Sequence, residues 1–418
     1  MALYAFATWL ASLFNPKVKK LLEGHRQILT TVRNGISPDD RVVWFHVASL
    51  GEFEQGRPLM EMVRKNQPEY KILLTFFSPS GYEVRKNYEG ADVICYIPFD
   101  TKWSANRFLN IVNPEIAIFI KYEFWYFVLS GMKKRGTKLY SVSSIFRDGQ
   151  IFFRFKNVAK VLRQFTHLFV QNQKSLELLA GIDIHNVTVV GDTRLDRVVE
   201  ICHAASDLPI VEAFKNGSDR VFIAGSSWEP DEKIYIPYFK ARKDWKLIIA
   251  PHEMAESRMD HLQKMLEGRV VLKYTDMEKM IADGGRMAAI ALLKEAEVLI
   301  IDCFGKLSSI YRYGEIALVG GGFGNGIHNV PEAAVYALPV VFGPNNKKFN
   351  EAQELKECGG AFEYHDSQSF TEIMNRLIDD KDYLTKAGQL AGEYITTHVG
   401  ATQKCYEAIF GESKESVK

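Results

Sequence analysis

Short runs of apolar and β-branched residues alternate with amphipathic, helix-spaced segments along most of this chain, and no other feature limits its fold as much. Parallel strands need a crossover connection, usually a helix, so the alternation predicts βα units feeding parallel sheets. The first series of predicted strands is Val42–Val47, Ile72–Phe77, Val93–Ile97, Ile116–Ile120, Lys138–Val142, Leu168–Val170 and Val187–Val190. The second is Val221–Ala224, Leu247–Ala250, Val270–Lys273, Val298–Ile301, Ile316–Val319 and Val340–Phe342. Between the two series, in residues 202–218, the strand signal lapses and polar, Pro and Gly residues appear, as in an interdomain link. After Ser369 the pattern turns helical, and the segment Gln389–Phe410 is long enough to cross back onto the first half. A chain of 418 residues also exceeds what one hydrophobic core usually supports. The expected class is α/β, with two open sheets facing across a cleft. Boundaries are expected at 1–20 for an apolar N-terminal helix, 21–205 and 219–390 for the two domains, 206–218 for the link, and 391–418 for the returning helix.

Charge and cysteine usage remove several function classes. A net charge of +1 argues against a general nucleic-acid binder. Cys95, Cys202, Cys303, Cys358 and Cys405 show no CxxC and no regular spacing, so neither a disulfide framework nor a zinc site is indicated. The segment from Met1 to Phe14 has no charged residue and is followed by Lys17, Lys19, Lys20 and Arg26. Its positive charges follow the apolar run, unlike those of a secretory signal, and the run is shorter than the roughly 20 residues a bilayer crossing needs. A monotopic anchor is expected, apolar side chains in the acyl boundary and lysines at anionic headgroups. A helix that caps the first domain is the competing reading.

Glu52 falls where the first strand gives way to a helix, in His46-Val47-Ala48-Ser49-Leu50-Gly51-Glu52. Ligands of open α/β sheets bind at that edge, which makes Glu52 a candidate general base and Ser49 and Gly51 its companions. The plainer alternative is a carboxylate that complements a helix dipole. Glu123, ahead of Phe124-Trp125, offers a second carboxylate at another strand end, and Arg194, in Gly191-Asp192-Thr193-Arg194, offers a cation for a phosphate or a partner for a nearby Asp.

In the second half, polar or glycine-rich turns follow four strands: Gly225-Ser226-Ser227, Pro251-His252-Glu253, Asp302-Cys303-Phe304-Gly305-Lys306, and Gly320 to Glu332. The glycines of the last turn, Gly322 among them, do not fit G-x-G-x-x-G and no GK[ST] follows, so neither a dinucleotide fold nor a P-loop is supported. Glycines still let backbone approach an anion, and Asn329-Val330-Pro331 opens a helix whose N–H groups attract one. Glu332 is placed to accept hydrogen bonds from ribose hydroxyls. Asp379-Asp380-Lys381-Asp382 contains a D-x-D pattern, but it lies in a late helical stretch and reads as a solvated helix end.

Taken together, these residues resemble the Kdo transferases of lipopolysaccharide synthesis, GT-B glycosyltransferases that move 3-deoxy-D-manno-oct-2-ulosonic acid (Kdo) from CMP-Kdo to a lipid A precursor. His46-x-x-Ser49-x-Gly51-Glu52 resembles the family's base motif, and Glu123 its second acidic position. Arg194 falls where the family has a basic residue credited with transition-state stabilisation. Pro251-His252, Phe304-Gly305-Lys306 and Asn329-Val330-Pro331-Glu332 resemble its CMP-holding segments, beside Ser226 and Ser227. The chain departs from the family pattern at Lys306, Cys303, Lys121, Arg194 and Phe323, where Glu, Thr, Glu, Lys and Ser are common. The resemblance implies two Rossmann-like domains, an inverting transfer with Glu52 as base and CMP as leaving group, no metal or other cofactor, and a place at the cytoplasmic face of the bacterial inner membrane. It implies as partners CMP-Kdo, the lipid A precursor and inner-membrane lipids, and no nucleic acid. Two other readings stay open: a GT-B enzyme using a UDP-sugar, and an inactive membrane-docked nucleotide-binding module.

Overall fold

The computed structural model describes residues 16–411, so the apolar run from Met1 to Phe14 lies outside the described residues. Among the described residues no helix is long and apolar enough to cross a membrane. The chain divides into two compact units, one running to Arg197 and resuming at His398, the other spanning Val198–Thr397.

Unit 1 holds β1 (Arg41–Val47), β2 (Tyr70–Phe76), β3 (Val93–Tyr96), β4 (Ile116–Ile120), β5 (Lys138–Ser144), β6 (His167–Val170) and β7 (Val187–Val189). They form one sheet in the order β3-β2-β1-β4-β5-β6-β7, with every pairing parallel. Its strands are apolar on both faces because helices cover both. Along β1, Val42 and Trp44 enter the core on one face while Val43, Phe45 and Val47 enter the core on the other, the two-residue alternation of a strand. The second of these cores also takes Ala401, Cys405 and Ile409 of the helix Ala401–Phe410. That helix begins on Asp196, whose carboxylate accepts from the N–H groups of Gly400 (2.5 Å) and Thr402 (2.7 Å).

Unit 2 holds β8 (Val221–Ser227), β9 (Lys246–Pro251), β10 (Val271–Lys273), β11 (Val298–Ile300), β12 (Ile316–Val319), β13 (Val340–Phe342) and β14 (Ala361–Glu363). The order is β10-β11-β9-β8-β12-β13-β14, again with every pairing parallel. The strand order reverses between β1 and β4 in the first sheet and between β8 and β12 in the second, where β11 is also inserted between β9 and the edge strand β10. Ligands of open α/β sheets bind outside the carboxyl ends of such a pair.

Two sequence expectations shift. Residues 206–218 are not an open link: Pro209–Lys215 is a helix that buries Ile210, Val211 and Phe214. The Pro and Gly signals mark its ends, Pro209 at the first position, where no N–H is needed, and Asn216 (φ 50°) and Gly217 (φ 73°) in the left-handed stop. The short strand β14 had no counterpart in the sequence reading, since three residues after Gly359-Gly360 carry too little pattern.

Candidate active site

The carboxyl end of β1 is shaped by a helix cap. Ser49 takes an extended conformation and its Oγ accepts from the Glu52 N–H at 3.4 Å, starting the helix Leu50–Asn66. Glu52 therefore stands in the first turn and folds back, its Oε2 accepting the Ala48 N–H at 2.5 Å. Gly51 is exposed, with room for a side chain around its Cα, whereas Gly56 packs against Ile120. Burial raises the Glu52 carboxyl from 4.5 to about 7, with the charge of Glu123 as second cause, against the opposing pull of the Ala48 N–H and Lys121. Such a carboxyl is poised for proton transfer near neutrality.

Glu123 follows β4, the strand across the switch point. Its Oε2 accepts from the Trp125 indole N–H at 2.8 Å and lies 3.1 Å from His46 Nε2. Just before it, Lys121 adopts a left-handed backbone (φ 61°), and its carbonyl accepts from Ser144 Oγ at 2.7 Å. At the end of β5, Ser143 (φ 55°) is left-handed too, beside the irregularity in the β5–β6 pairing. Strained non-glycine residues at two adjacent strand ends concentrate where a sheet serves a site. A cavity of about 420 Å³ opens beside Glu123, walled by Tyr122, Phe124, Trp125, Tyr126 and Phe152.

Arg194 is paired within its own turn. Its Nε and Nη2 donate to Asp192 Oδ2 at 2.9 and 2.6 Å. Asp192 in turn accepts from Gln55 Nε2 at 2.5 Å, and Thr193 Oγ1 donates to the Gln55 carbonyl at 2.6 Å. Burial alone would raise the Asp192 carboxyl, but Arg194, then Lys121, holds it below its usual range. Gln55 is one helical turn beyond Glu52, so this network ties the Arg194 turn to the helix that carries Glu52.

In unit 2 the four predicted turns ride on β11, β9, β8 and β12, which are consecutive in the sheet, so they share one edge. Asp231 clamps two of them, accepting from the N–H groups of Trp228 (3.0 Å) and Gly321 (3.1 Å) and from Tyr364 OH (3.2 Å). Ser226 is left-handed (φ 50°) at the β8–β9 irregularity. Ser227 is 1% exposed and its hydroxyl donates inward to Glu232 at 2.7 Å, so its side chain faces the core. Pro251 is buried, His252 exposed. His252 lies over Trp228 and His328, 4.5 Å from each ring centroid, while Trp228 Nε1 donates to His328 Nε2 at 3.0 Å. Burial first, then His252, pushes His328 down to about 4, so it stays neutral near pH 7.

Phe304 and Gly305 are exposed, and Lys306 Nζ sits 3.6 Å from Glu278 and over the Tyr274 ring. Gly322, Val330 and Pro331 are buried and present backbone only. Glu332 accepts from Asn329 Nδ2 (2.7 Å) and Ser308 Oγ (3.2 Å), while Asn329 Oδ1, though buried, has no hydrogen-bond donor among the described residues. Pro331 does open a helix, but Pro331–Ala334 is a single turn, so its dipole adds little at Asn329-Val330. The sequence reading missed Trp228, His328, Asp231, Gln55 and Asp192. An indole directly after Ser226-Ser227 and a histidine in the glycine-rich turn were the available signals.

Residues 23–197 match the family model for 3-deoxy-D-manno-octulosonic-acid transferase, the Kdo transferases. A 3-deoxy-D-manno-octulosonic acid transferase of Aquifex aeolicus is 25% identical over 366 residues, 84% of this chain and 91% of its own length. Among solved structures, a putative UDP-N-acetylglucosamine 2-epimerase from Listeria monocytogenes matches 90% of this chain and 98% of its own, with TM-score 0.58 and 15% identity. A glycosyltransferase from Rickettsia africae matches 90% of this chain and 100% of its own, with TM-score 0.54 and 10% identity. The two structures share the fold, two parallel-sheet α/β units of GT-B type. By the match over residues 23–197 and by a relative that spans both units, the chain is similar to the Kdo transferases, which points to a glycosyltransferase.

Proposed function

We propose that this protein transfers Kdo from CMP-Kdo to a sugar hydroxyl of a lipid A precursor, with inversion at the anomeric carbon. The observation that carries the reading is Glu52, a largely buried carboxylate at the switch point of its sheet, raised to about 7 by burial and by Glu123. Its Oε2 is held by the Ala48 N–H, which leaves Oε1 for the acceptor hydroxyl. As that oxygen forms its bond to the anomeric carbon, its proton passes to Glu52. The bond from the anomeric carbon to the CMP phosphate breaks with its electron pair, through an oxocarbenium-like transition state.

The reading assigns the base to unit 1 and the nucleotide to unit 2. There Asn329 Oδ1 and Glu332 offer acceptors for ribose hydroxyls, and Lys306 a cation for the phosphate. One phosphate asks less charge compensation than a diphosphate, so transfer is expected to continue at full rate in EDTA. The aromatic cavity beside Glu123 suits the apolar part of a lipid acceptor, and a lipid acceptor is in keeping with a reaction at the cytoplasmic face of the inner membrane.

Nucleotide protection against heat tests the donor assignment. Ligand at 100 times its Kd adds about 2.7 kcal/mol to the native state, so CMP should raise the Tm clearly and UDP should not. Protection by UDP alone would overturn the assignment in favour of a UDP-sugar.

A further inference from the structure

A polar chain runs through the interior of the first sheet, and it ends on Glu123. His46, on β1, has no exposed surface. Its Nδ1 lies 2.8 Å from Thr75 Oγ1 and 3.2 Å from the Thr75 carbonyl, and Thr75 Oγ1 also accepts from the Trp44 indole at 2.7 Å. On the other side, Nε2 lies 3.1 Å from Glu123 Oε2 and 3.1 Å from the Trp125 indole nitrogen, whose N–H is closer to the same Glu123 oxygen, at 2.8 Å. Phe119 (5.2 Å) and Trp125 (6.1 Å) pack against the ring, which fixes its plane. A polar ring inside an apolar strand costs stability unless its bonds are made, and here each nitrogen has a partner on a neighbouring strand or turn.

Resting on the transferase reading above, we propose that His46 is a positioning residue whose Nε2–H holds the Glu123 carboxylate in place beside the base Glu52. Trp44 already gives its proton to Thr75, so the Thr75 hydroxyl is free to donate to Nδ1. With the Trp125 N–H directed at its nearer acceptor, Glu123 Oε2, rather than at Nε2, the imidazole proton stands on Nε2 and is aimed at the same carboxylate. The charge of Glu123 next to Glu52 disfavours the ionised form of Glu52 and makes it a stronger base. The charged groups that act on Glu52 are Glu123, which strengthens it, and Lys121, which opposes; Tyr122 feels Glu52 in return. The titratable group facing His46 is Glu123.

The test is the pH profile of kcat/KM for Kdo transfer by the full chain. His46→Phe keeps the ring volume but removes the donor, leaving Glu123 with Trp125 alone. We expect kcat to fall about 10²-fold, the size of loss typical of a misplaced catalytic group, with CMP protection unchanged. The acid limb should move to lower pH, because the Glu123 carboxylate is no longer held beside Glu52 and acts on it less. Glu123→Gln should move the limb the same way, and the double variant no further, as expected of two residues acting through one contact. His46→Gln, whose amide N–H can reach Glu123, should recover part of the rate and the profile.

A rate loss with the limb unmoved in His46→Phe would make the residue merely structural and overturn the proposal, as would a wild-type rate and profile. If His46→Phe does not fold, Thr75→Val loosens the same imidazole without changing the side chain's shape, and the same shift decides. Glu52→Gln in the same assay separates the two readings. If it still transfers Kdo, the base assignment fails. If it is inactive while the limb of His46→Phe stays fixed, the role of His46 alone fails.

Discussion

Glu52→Gln should abolish sugar transfer while making the protein more stable at neutral pH. Loss of a general base costs about 10²–10⁴-fold in rate, and CMP protection should survive because the residues proposed to hold the nucleotide belong to the other unit. The stability gain follows from the same burial. The unfolded chain releases the Glu52 proton near 4.5, the folded chain near 7, so the folded state binds more protons between those values. The cost of ionising Glu52 in the fold is absent below about pH 4.5, grows as pH rises, and is complete above about pH 7. Glutamine never incurs it. At pH 8 the variant should therefore gain on the order of 2 kcal/mol, allowing for partial solvent contact, and at pH 4.5 it should gain nothing. Urea midpoints at the two pH values check this. For the wild type, kcat/KM should fall on the acid side below about pH 7 as Glu52 takes up its proton.

Gly320→Ala should be the most damaging small substitution in unit 2. An added Cβ would lie 2.3 Å from the Ser226 carbonyl oxygen, 2.7 Å from Ser227 Cα and 2.9 Å from Asp231 Oδ2. The first two are backbone atoms of β8, and Asp231 is itself fixed by the N–H groups of Trp228 and Gly321, so none can yield cheaply. Overpacking of this kind costs about 3 kcal/mol and here also displaces the turns assigned to the nucleotide. The expected result is a lower urea midpoint for unit 2 with weakened CMP protection. Gly324→Ala is the control: its Cβ would meet nothing closer than the Gly321 carbonyl at 3.7 Å, and its midpoint should stay within about 0.5 kcal/mol of wild type. Equal midpoints for the two variants would contradict the close approach of β8 and the glycine-rich turn.

The strands were legible because a parallel sheet covered on both faces writes itself as apolar runs. Ile116–Ile120, Ile316–Val319 and Val340–Phe342 begin and end in the structure where the pattern places them. Glu52 was legible for a related reason, since a strand that stops at Val47 and a helix capped by Ser49 leave it in the first turn. What sequence spacing does not carry is the partner of each group. His46 and Glu123 are 77 residues apart, Gln55 and Asp192 137, and only the strand order brings them together. The left-handed turns at Lys121, Ser143 and Ser226 are also silent in sequence, because these residue types rarely adopt that conformation and nothing local announces it. The Trp228, His252 and His328 rings come from three turns, and their grouping required β8, β9 and β12 to be neighbours.

The most direct test of the account is mass analysis of the products formed from CMP-Kdo and a lipid A precursor, with wild-type protein and Glu52→Gln side by side. The account predicts acceptor heavier by whole Kdo units and an equal yield of free CMP with the wild type, and unchanged acceptor with the variant. Unmodified acceptor with folded wild-type protein at saturating CMP-Kdo, or equal product from Glu52→Gln, would contradict it.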